Sequence, residues 1–306
     1  GNRASAAILT LRVSHPQHTM RLFRFLLYLS LFALYLACKQ KPSDSGTNLS
    51  TNTYREYYSA ATGKKGAELK TALFGIIGNP DIVSYAEIWS AFEKTDVKAD
   101  GSVWDMYSDN PSGEIIYSFS FHHKKCGTYR SEGDCYNREH TIPQSWFKGA
   151  SPMYSDLFHI YPTDGYVNNR RGNLPLGEVG IFSWKSANGS RIGQNTSGNF
   201  TQTVFEPIDE YKGDFARTYF YMVTAYESNV ASWESPQVGG NTYPAIKNWA
   251  LEMFLRWHRE DPVSTKERDR NQAVFGIQKN RNPFIDHPEL AEHVWGNKKN
   301  QPFNLK

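Results

Sequence analysis

The sequence predicts one mixed α+β domain, with helices at both ends around a centre of short strands and loops. Apolar residues recur at helical spacing in 66–77 and again beyond residue 214. Short strand-like runs follow the first helices, and residues 126–207 are rich in Gly, Asn, Ser and Pro. Helices separated in sequence from strands, with no repeat, are typical of α+β architecture rather than of alternating βα units.

The first 53 residues are predicted to lie outside this domain. A basic start at Met20 precedes an apolar run over residues 25–37, which is the pattern of a secretory signal. The run is too short for a comfortable membrane span. The Ala-Cys pair ending at Cys38 is similar to a bacterial lipobox, although Tyr35 stands where leucine is usual. A cell-surface or periplasmic lipoprotein is therefore expected, and plain secretion is the alternative.

Three segments follow from this pattern. Residues 1–37 are predicted to be an upstream extension and signal peptide, and residues 38–53 a flexible tether of Ser, Thr, Asn, Pro and Lys. Residues 54–306 are predicted to form the folded, catalytic domain.

The remaining cysteines, Cys126 and Cys135, lie nine positions apart. In an oxidising compartment such a pair can close a small loop. Two free thiols or half of a zinc site are the alternatives, but the chain has no Cys-x-x-Cys motif to support zinc. A disulfide is expected.

The elements are expected in this order along the chain. Gly66–Ile77 and Ser84–Thr95 have helical periodicity, with a Gly-Asn-Pro break between them. Residues 103–107 and 114–120 have the composition of strands joined by a turn. The C-terminal third is helical again.

Three helices are predicted in that third. Asp214 can cap a helix over residues 215–227, and Pro244 fits the first turn of the next. Ser264 and Glu267 form a capping box that opens the third. The middle helix has an apolar stripe that is expected to be core, made of Ile246, Trp249, Ala250, Met253, Phe254 and Trp257.

Two segments of the loop-rich centre contain chemically suggestive residues. The first is Arg138-Glu139-His140, in which neighbouring strand residues reach one site only at a strand end or a bulge. The second, residues 156–173, is predicted to be a strand, a turn over 162–165 and a polar helix start with Asn168. Carboxylate and amide oxygens suit a hard cation such as Mg²⁺, and a neutral imidazole beside it can deprotonate water.

These two segments resemble the bacterial endonuclease I family, whose active site is a ββα-metal (His-Me) finger. The shared motifs are Arg-Glu-His followed by Pro143, then Pro-x-x-Gly-x-Val-Asn-x-x-Arg-x-Asn over residues 162–173. The resemblance extends from Tyr54 to the end of the chain. It implies that His140 is the general base, that Glu139 and Asn168 bind Mg²⁺ (or Mn²⁺ or Ca²⁺), and that the products carry 5′-phosphate ends.

Other site residues are assigned less specific roles. Arg171 matches a family arginine and is placed among the catalytic residues. Two roles are open for it, contact with phosphate or bracing of the helix. Arg138 and Asn173 are expected to support the site or contact substrate, whereas His159 is expected to be structural. The cations near the C-terminus are expected either to line a groove for the nucleic-acid backbone or to form a solvated helix face. They are Arg268, Arg270, Lys279 and Arg281.

The expected partner is DNA, and RNA as a second substrate, bound through the phosphate backbone by a monomer. The net charge of +3 permits a polyanion but does not argue for one. Nothing resembles a base-reading element, so little sequence preference is expected. The alternatives are an inactive nucleic-acid-binding lipoprotein and a small-molecule phosphodiesterase.

Overall fold

A computed structural model describes residues 55–123 and 125–305. The predicted signal segment, the tether and Cys38 lie outside these residues, as does the start of the predicted domain at residue 54. The helices are α1 (Gly66–Ile77), α2 (Ile88–Thr95), α3 (Gly165–Arg171), α4 (Lys212–Ala225), α5 (Glu227–Val230), α6 (Asn248–Glu260), α7 (Thr265–Gln278), α8 (Pro283–Asp286) and α9 (Leu290–Val294). The strands are β1 (Tyr136–His140), β2 (Ile160–Asp164), β3 (Val179–Lys185), β4 (Arg191–Asn195) and β5 (Thr203–Glu206).

The central element is α4, which is buried from Gly213 to Ala225. A helix that is covered on all sides needs apolar or hydrogen-bonded residues all round. This helix meets that need with Phe, Tyr, Met and Val side chains. Helices α1, α6 and α8 pack against it. The predicted α+β class is confirmed, and none of the described helices is long and apolar enough to cross a bilayer.

The described strands form two separate antiparallel sheets. Strands β1 and β2 make a two-stranded sheet whose register pairs Glu139 with Tyr161 and His140 with Ile160. Strands β3, β4 and β5 make a three-stranded sheet in that order. A hydrogen bond of 2.7 Å between the hydroxyls of Tyr161 and Thr218 ties the first sheet to α4.

The prediction of strands over residues 103–107 and 114–120 is wrong. Val103 makes an isolated bridge with Val97, and its N–H donates to the carbonyl of Phe119. The buried Asp105 carboxylate accepts the N–H of Tyr107, which turns the chain away from an extended course. A composition typical of strands does not form a ladder without a neighbouring strand in register.

The three-stranded sheet was missed, because residues 126–207 were expected to be mostly irregular. Its first hairpin turns at Asn188-Gly189, a dipeptide that favours tight turns. Register shifts interrupt β3 on both sides of Phe182. These irregularities explain why the alternation of the strand is hard to recognise in the sequence.

Helix boundaries agree with expectation in part. Helix α1 has the predicted bounds, and the capping box at Ser264 is present. Helix α2 begins four residues later than predicted, and α4 begins at Lys212, so that Asp214 lies in its first turn rather than at its cap. Helix α6 begins after Pro244, at Asn248, and every residue of its predicted stripe is buried.

Candidate active site

The strands β1 and β2 and the helix α3 form a compact ββα unit. The predicted turn over residues 162–165 is absent, because β2 continues to Asp164 and α3 begins at the next residue. The Asp164 side chain accepts the N–H of Val167 at 2.9 Å and so caps the helix. Pro162 is tolerated in β2 because each strand of a two-stranded sheet keeps a free edge. The direct join brings α3 against β1.

Glu139 occupies the side of β1 that faces α3. Its carboxylate is 2% exposed, and Oε1 accepts hydrogen bonds from the Tyr107 hydroxyl at 2.8 Å and Arg171 Nη1 at 2.7 Å. Within the described residues, Oε2 has no hydrogen-bond donor. Burial raises the pKa of this carboxyl, while Arg171 and Tyr107 oppose that shift by favouring the carboxylate.

Arg171 braces the end of β1 from the last turn of α3. Besides Glu139, its guanidinium donates to the carbonyls of His140 at 2.9 Å and Thr141 at 2.6 Å. The side chain is 1% exposed. Of the two roles left open by the sequence, this geometry favours bracing over contact with a phosphate at the surface.

Asn168 lies one helical turn before Arg171, so both residues occupy the same face of α3. It is half-buried, and its side chain makes no hydrogen bond to any residue that the structure describes. Its amide oxygen is therefore available on the helix face of Arg171, the residue that contacts Glu139.

The free oxygens of Glu139 and Asn168 fit a hard cation. In residues 55–123 and 125–305, no group of three or more His, Cys, Asp or Glu side chains is arranged to hold a metal. A cation bound here would have one carboxylate and one amide from the protein and keep several waters. Mg²⁺ is held in this way, whereas a structural zinc site takes three or four nitrogen and sulfur ligands.

His140 is the last residue of β1, and its ring contacts a different set of side chains from Glu139. The ring lies in an aromatic cage, with centroids 5.8 Å from Tyr85 and 5.4 Å from both Tyr154 and His159. Its Nε2 lies 3.0 Å from the carbonyl oxygen of Tyr154. A carbonyl only accepts, so Nε2 carries the proton and Nδ1 keeps its lone pair.

The protonation of His140 follows from this environment. Burial, with neighbouring His159 as the second cause, lowers the pKa of the imidazole to about 3. The ring is therefore neutral throughout the physiological pH range. A neutral imidazole with a free Nδ1 can accept a proton.

Arg138 extends the same aromatic surface. Its guanidinium carbon lies 3.6 Å from the ring centroid of Tyr85 and 4.5 Å from that of Trp89, and Nη1 donates to the Tyr85 carbonyl at 2.7 Å. This contact holds Tyr85 against His140. The side chain is only half-buried, which leaves part of its charge facing solvent.

Among the described residues, neither Asn173 nor His159 makes a hydrogen bond to Glu139 or Asn168. Asn173 is exposed in the turn after α3 and lines an open cavity of about 680 Å³ together with Gln194 and Gln202. His159 is fully buried, and its Nε2 lies 2.6 Å from the carbonyl of Met153. This position fits the structural role expected for His159.

Cys126 and Cys135 are joined by a disulfide with a Cα–Cα distance of 5.1 Å. The Cys135 carbonyl accepts the N–H of Gly165, the first residue of α3, at 2.8 Å. A Cβ atom on Gly165 would lie 2.5 Å from Cys126 Sγ. The disulfide loop therefore packs directly on the start of the helix that contains Asn168.

Three functional contacts were missed by the sequence analysis. Tyr107 lies 32 positions from Glu139, and nothing in its local sequence indicates the hydrogen bond between them. Tyr85 and Tyr154 enclose His140 from two other loops. High aromatic content was the available signal, and it does not say which rings reach the site.

The four cations near the C-terminus form neither the expected groove for the nucleic-acid backbone nor a fully solvated helix face. Arg270 is buried against Asp96 at 2.8 Å, and Arg281 is buried against Asp286 at 2.6 Å. Both arginines connect elements of the core. Arg268 and Lys279 are exposed, with donors directed to carbonyls of their own helix region.

The family model described as Endonuclease I matches residues 65–289. The chain belongs to the endonuclease I family. An extracellular ribonuclease of Bacillus amyloliquefaciens is 34% identical over 246 residues, 78% of each chain, and one of Bacillus subtilis is 32% identical over 245 residues, again 78% of each. A periplasmic deoxyribonuclease of Aeromonas hydrophila is 25% identical over 48% of this chain and 62% of its own.

Membership in the endonuclease I family confirms the predicted resemblance and the class of enzyme, a nuclease and hence a hydrolase. The named relatives are extracellular or periplasmic, which agrees with a location outside the cytoplasm. The family match covers β1, β2 and α3 completely.

Proposed function

We propose that this chain is a metal-dependent endonuclease that hydrolyses DNA and RNA with little sequence preference and leaves 5′-phosphate ends. The observation that supports it most is the end of β1. There Glu139, whose carboxylate has a free oxygen, is followed directly by His140, whose imidazole has a free nitrogen, and Asn168 lies on the helix α3 that packs against β1.

His140 acts as the general base. Its Nδ1 takes the proton of the attacking water, while the Tyr154 carbonyl holds the Nε2 proton and orients the ring. The stacked rings of Tyr85 and Tyr154 restrict its rotation. Arg171 is a positioning residue, because it fixes Glu139 and the backbone at the end of β1.

Glu139 and Asn168 hold the divalent cation, for which Mg²⁺ is the first candidate and Mn²⁺ or Ca²⁺ are alternatives. When bound, the ion supplies positive charge that stabilises the charge developing on the phosphate and the leaving oxygen. Arg171 leaves one oxygen of Glu139 unoccupied for this purpose.

Digestion of plasmid DNA and of RNA, with and without chelator, tests this proposal. His140→Ala should lower the rate about 10²- to 10⁴-fold, the range that loss of a general base gives. Exposed His123 provides the control, since His123→Ala should cleave like the wild type. Wild-type rates in chelator would reject the metal, and cleavage of small phosphodiesters alone would favour the small-molecule alternative.

The proposed substrates and location agree with the relatives. Proteins named ribonuclease and deoxyribonuclease both match this chain, which supports a site that acts on the backbone of either nucleic acid. We place the enzyme outside the cytoplasm, as a monomer anchored by lipid at Cys38. Cys38→Ser should move it from the membrane fraction to the soluble fraction; unchanged fractionation would reject the anchor.

A further inference from the structure

Strand β3 exposes aromatic and apolar side chains at the edge of the three-stranded sheet. Ile181 is 87% exposed and Phe182 is 52% exposed, and Trp184 is half-buried beside them. Neighbouring exposed apolar side chains are a feature of interaction sites. We call Phe182, Trp184 and Arg170 the β3 platform.

The platform adjoins the helix of the active site. The guanidinium carbon of Arg170 lies 5.4 Å from the centroid of the Trp184 ring. Arg170 is the neighbour of Arg171, which binds Glu139. The platform therefore lies against the helix that also contains Asn168 and Arg171.

The charge around the platform suits a polyanion. Residues 165–205 contain four cations and a single acid, Glu178. That acid is paired with Arg256, and Arg171 and Arg191 are paired with Glu139 and Glu206. Among the described residues, Arg170 and Lys185 have no ion-pair partner, so their charge is available to phosphates.

We propose that the β3 platform stacks unpaired bases of a single-stranded RNA or DNA that leads away from the scissile phosphate. This rests on the proposed nuclease function. Exposed aromatic faces beside free cations bind single strands without reading sequence, whereas bases within a duplex have no free face. A second protein strand is disfavoured, because the register shifts on both sides of Phe182 interrupt regular pairing.

Phe182 provides the sharpest test, because it is exposed and its replacement should not unfold the protein. In a His140→Ala background, Phe182→Ala and Phe182→Leu should weaken binding of short single-stranded RNA or DNA about 5- to 150-fold, the cost of one lost base stack. Phe182→Tyr should keep the affinity. Ile181→Ser, the matched control, should bind like its parent, and duplex binding should change little in every variant.

Three outcomes would overturn the platform. They are unchanged single-strand affinity in Phe182→Ala, full affinity in Phe182→Leu, and equal loss on duplex. Hydrolysis of a nitrophenyl phosphodiester by enzyme with intact His140 separates this inference from the proposed function, since it needs the site but no base. If the wild type hydrolyses no phosphodiester, the nuclease proposal is wrong. If the wild type hydrolyses the nitrophenyl phosphodiester normally and the Phe182 variants keep full single-strand affinity, only the platform is wrong.

Discussion

At the level of single residues, the site depends on one buried ion pair. Glu139 and Arg171 are almost completely buried, and each balances the charge of the other. Removing one partner of such a pair leaves an uncompensated charge in the interior, which costs more than the pair itself contributes.

Arg171→Met should therefore lower the free energy of unfolding by about 3–5 kcal/mol, measured by urea denaturation. The neighbouring Arg170 is exposed, so Arg170→Met is the matched control. It should change the free energy of unfolding by no more than about 0.5 kcal/mol. Arg171→Lys should recover part of the loss. Wild-type stability in Arg171→Met would show that the guanidinium does not brace the strand.

Besides His140, two buried histidines predict a pH dependence of stability. Burial lowers the pKa of both His159 and His258 to about 4, below the unfolded value near 6.5. The unfolded chain thus binds more protons between these values, so stability is full above about pH 6.5 and is lost as the pH falls toward 4. His159→Gln should reduce the slope of unfolding free energy against pH in that window. An identical slope in the variant would contradict this assignment.

At the level of elements, the start of α3 has no room for a side chain. The disulfide sulfur of Cys126 and the ring of Tyr129 lie 2.5 and 3.0 Å from where a Cβ on Gly165 would stand. The sulfur is held in its bond to Cys135, so the helix must shift instead.

Gly165→Ala should cost about 1–3 kcal/mol and should also lower affinity for the activating cation, since Asn168 moves with the helix. Thermal melting and activity against cation concentration measure the two effects. Gly75→Ala in α1 is the control, because its Cβ would meet open space and alanine favours a helix by about 1 kcal/mol. If both variants behave alike, the close packing at α3 is unimportant.

At the level of the whole molecule, we expect the fold not to depend on the proposed cation. The core is one continuous cluster built around α4, and buried networks such as Asp156 with Tyr221 and Tyr226 connect distant segments. A metal held by two side chains adds little to this stability.

Chelation should accordingly abolish hydrolysis while lowering the melting temperature by no more than about 4 °C, the shift that roughly 1 kcal/mol of ligand binding produces in a domain of this size. Calorimetry with and without chelator, followed by readdition of Mg²⁺, measures both. Unfolding in chelator would instead indicate a structural metal.

Local patterns were enough to predict the α+β class, helix α1, the capping box at Ser264 and the two motifs of the site. Each depends on residues close together in sequence, where helical periodicity, caps and short motifs are visible. The Glu139-His140 pair and Asn168 were singled out because their short motifs resemble those of the endonuclease I family, and their roles stay a prediction.

Tertiary structure decided the remainder. The absence of strands near Val103 and Glu114 depends on whether a neighbouring strand is available, which no local composition reveals. The Tyr107 contact to Glu139, the rings around His140 and the burial of Arg270 and Arg281 join residues far apart in sequence. Such contacts depend on how the elements pack, because partners for buried charges and rings are selected by proximity in space.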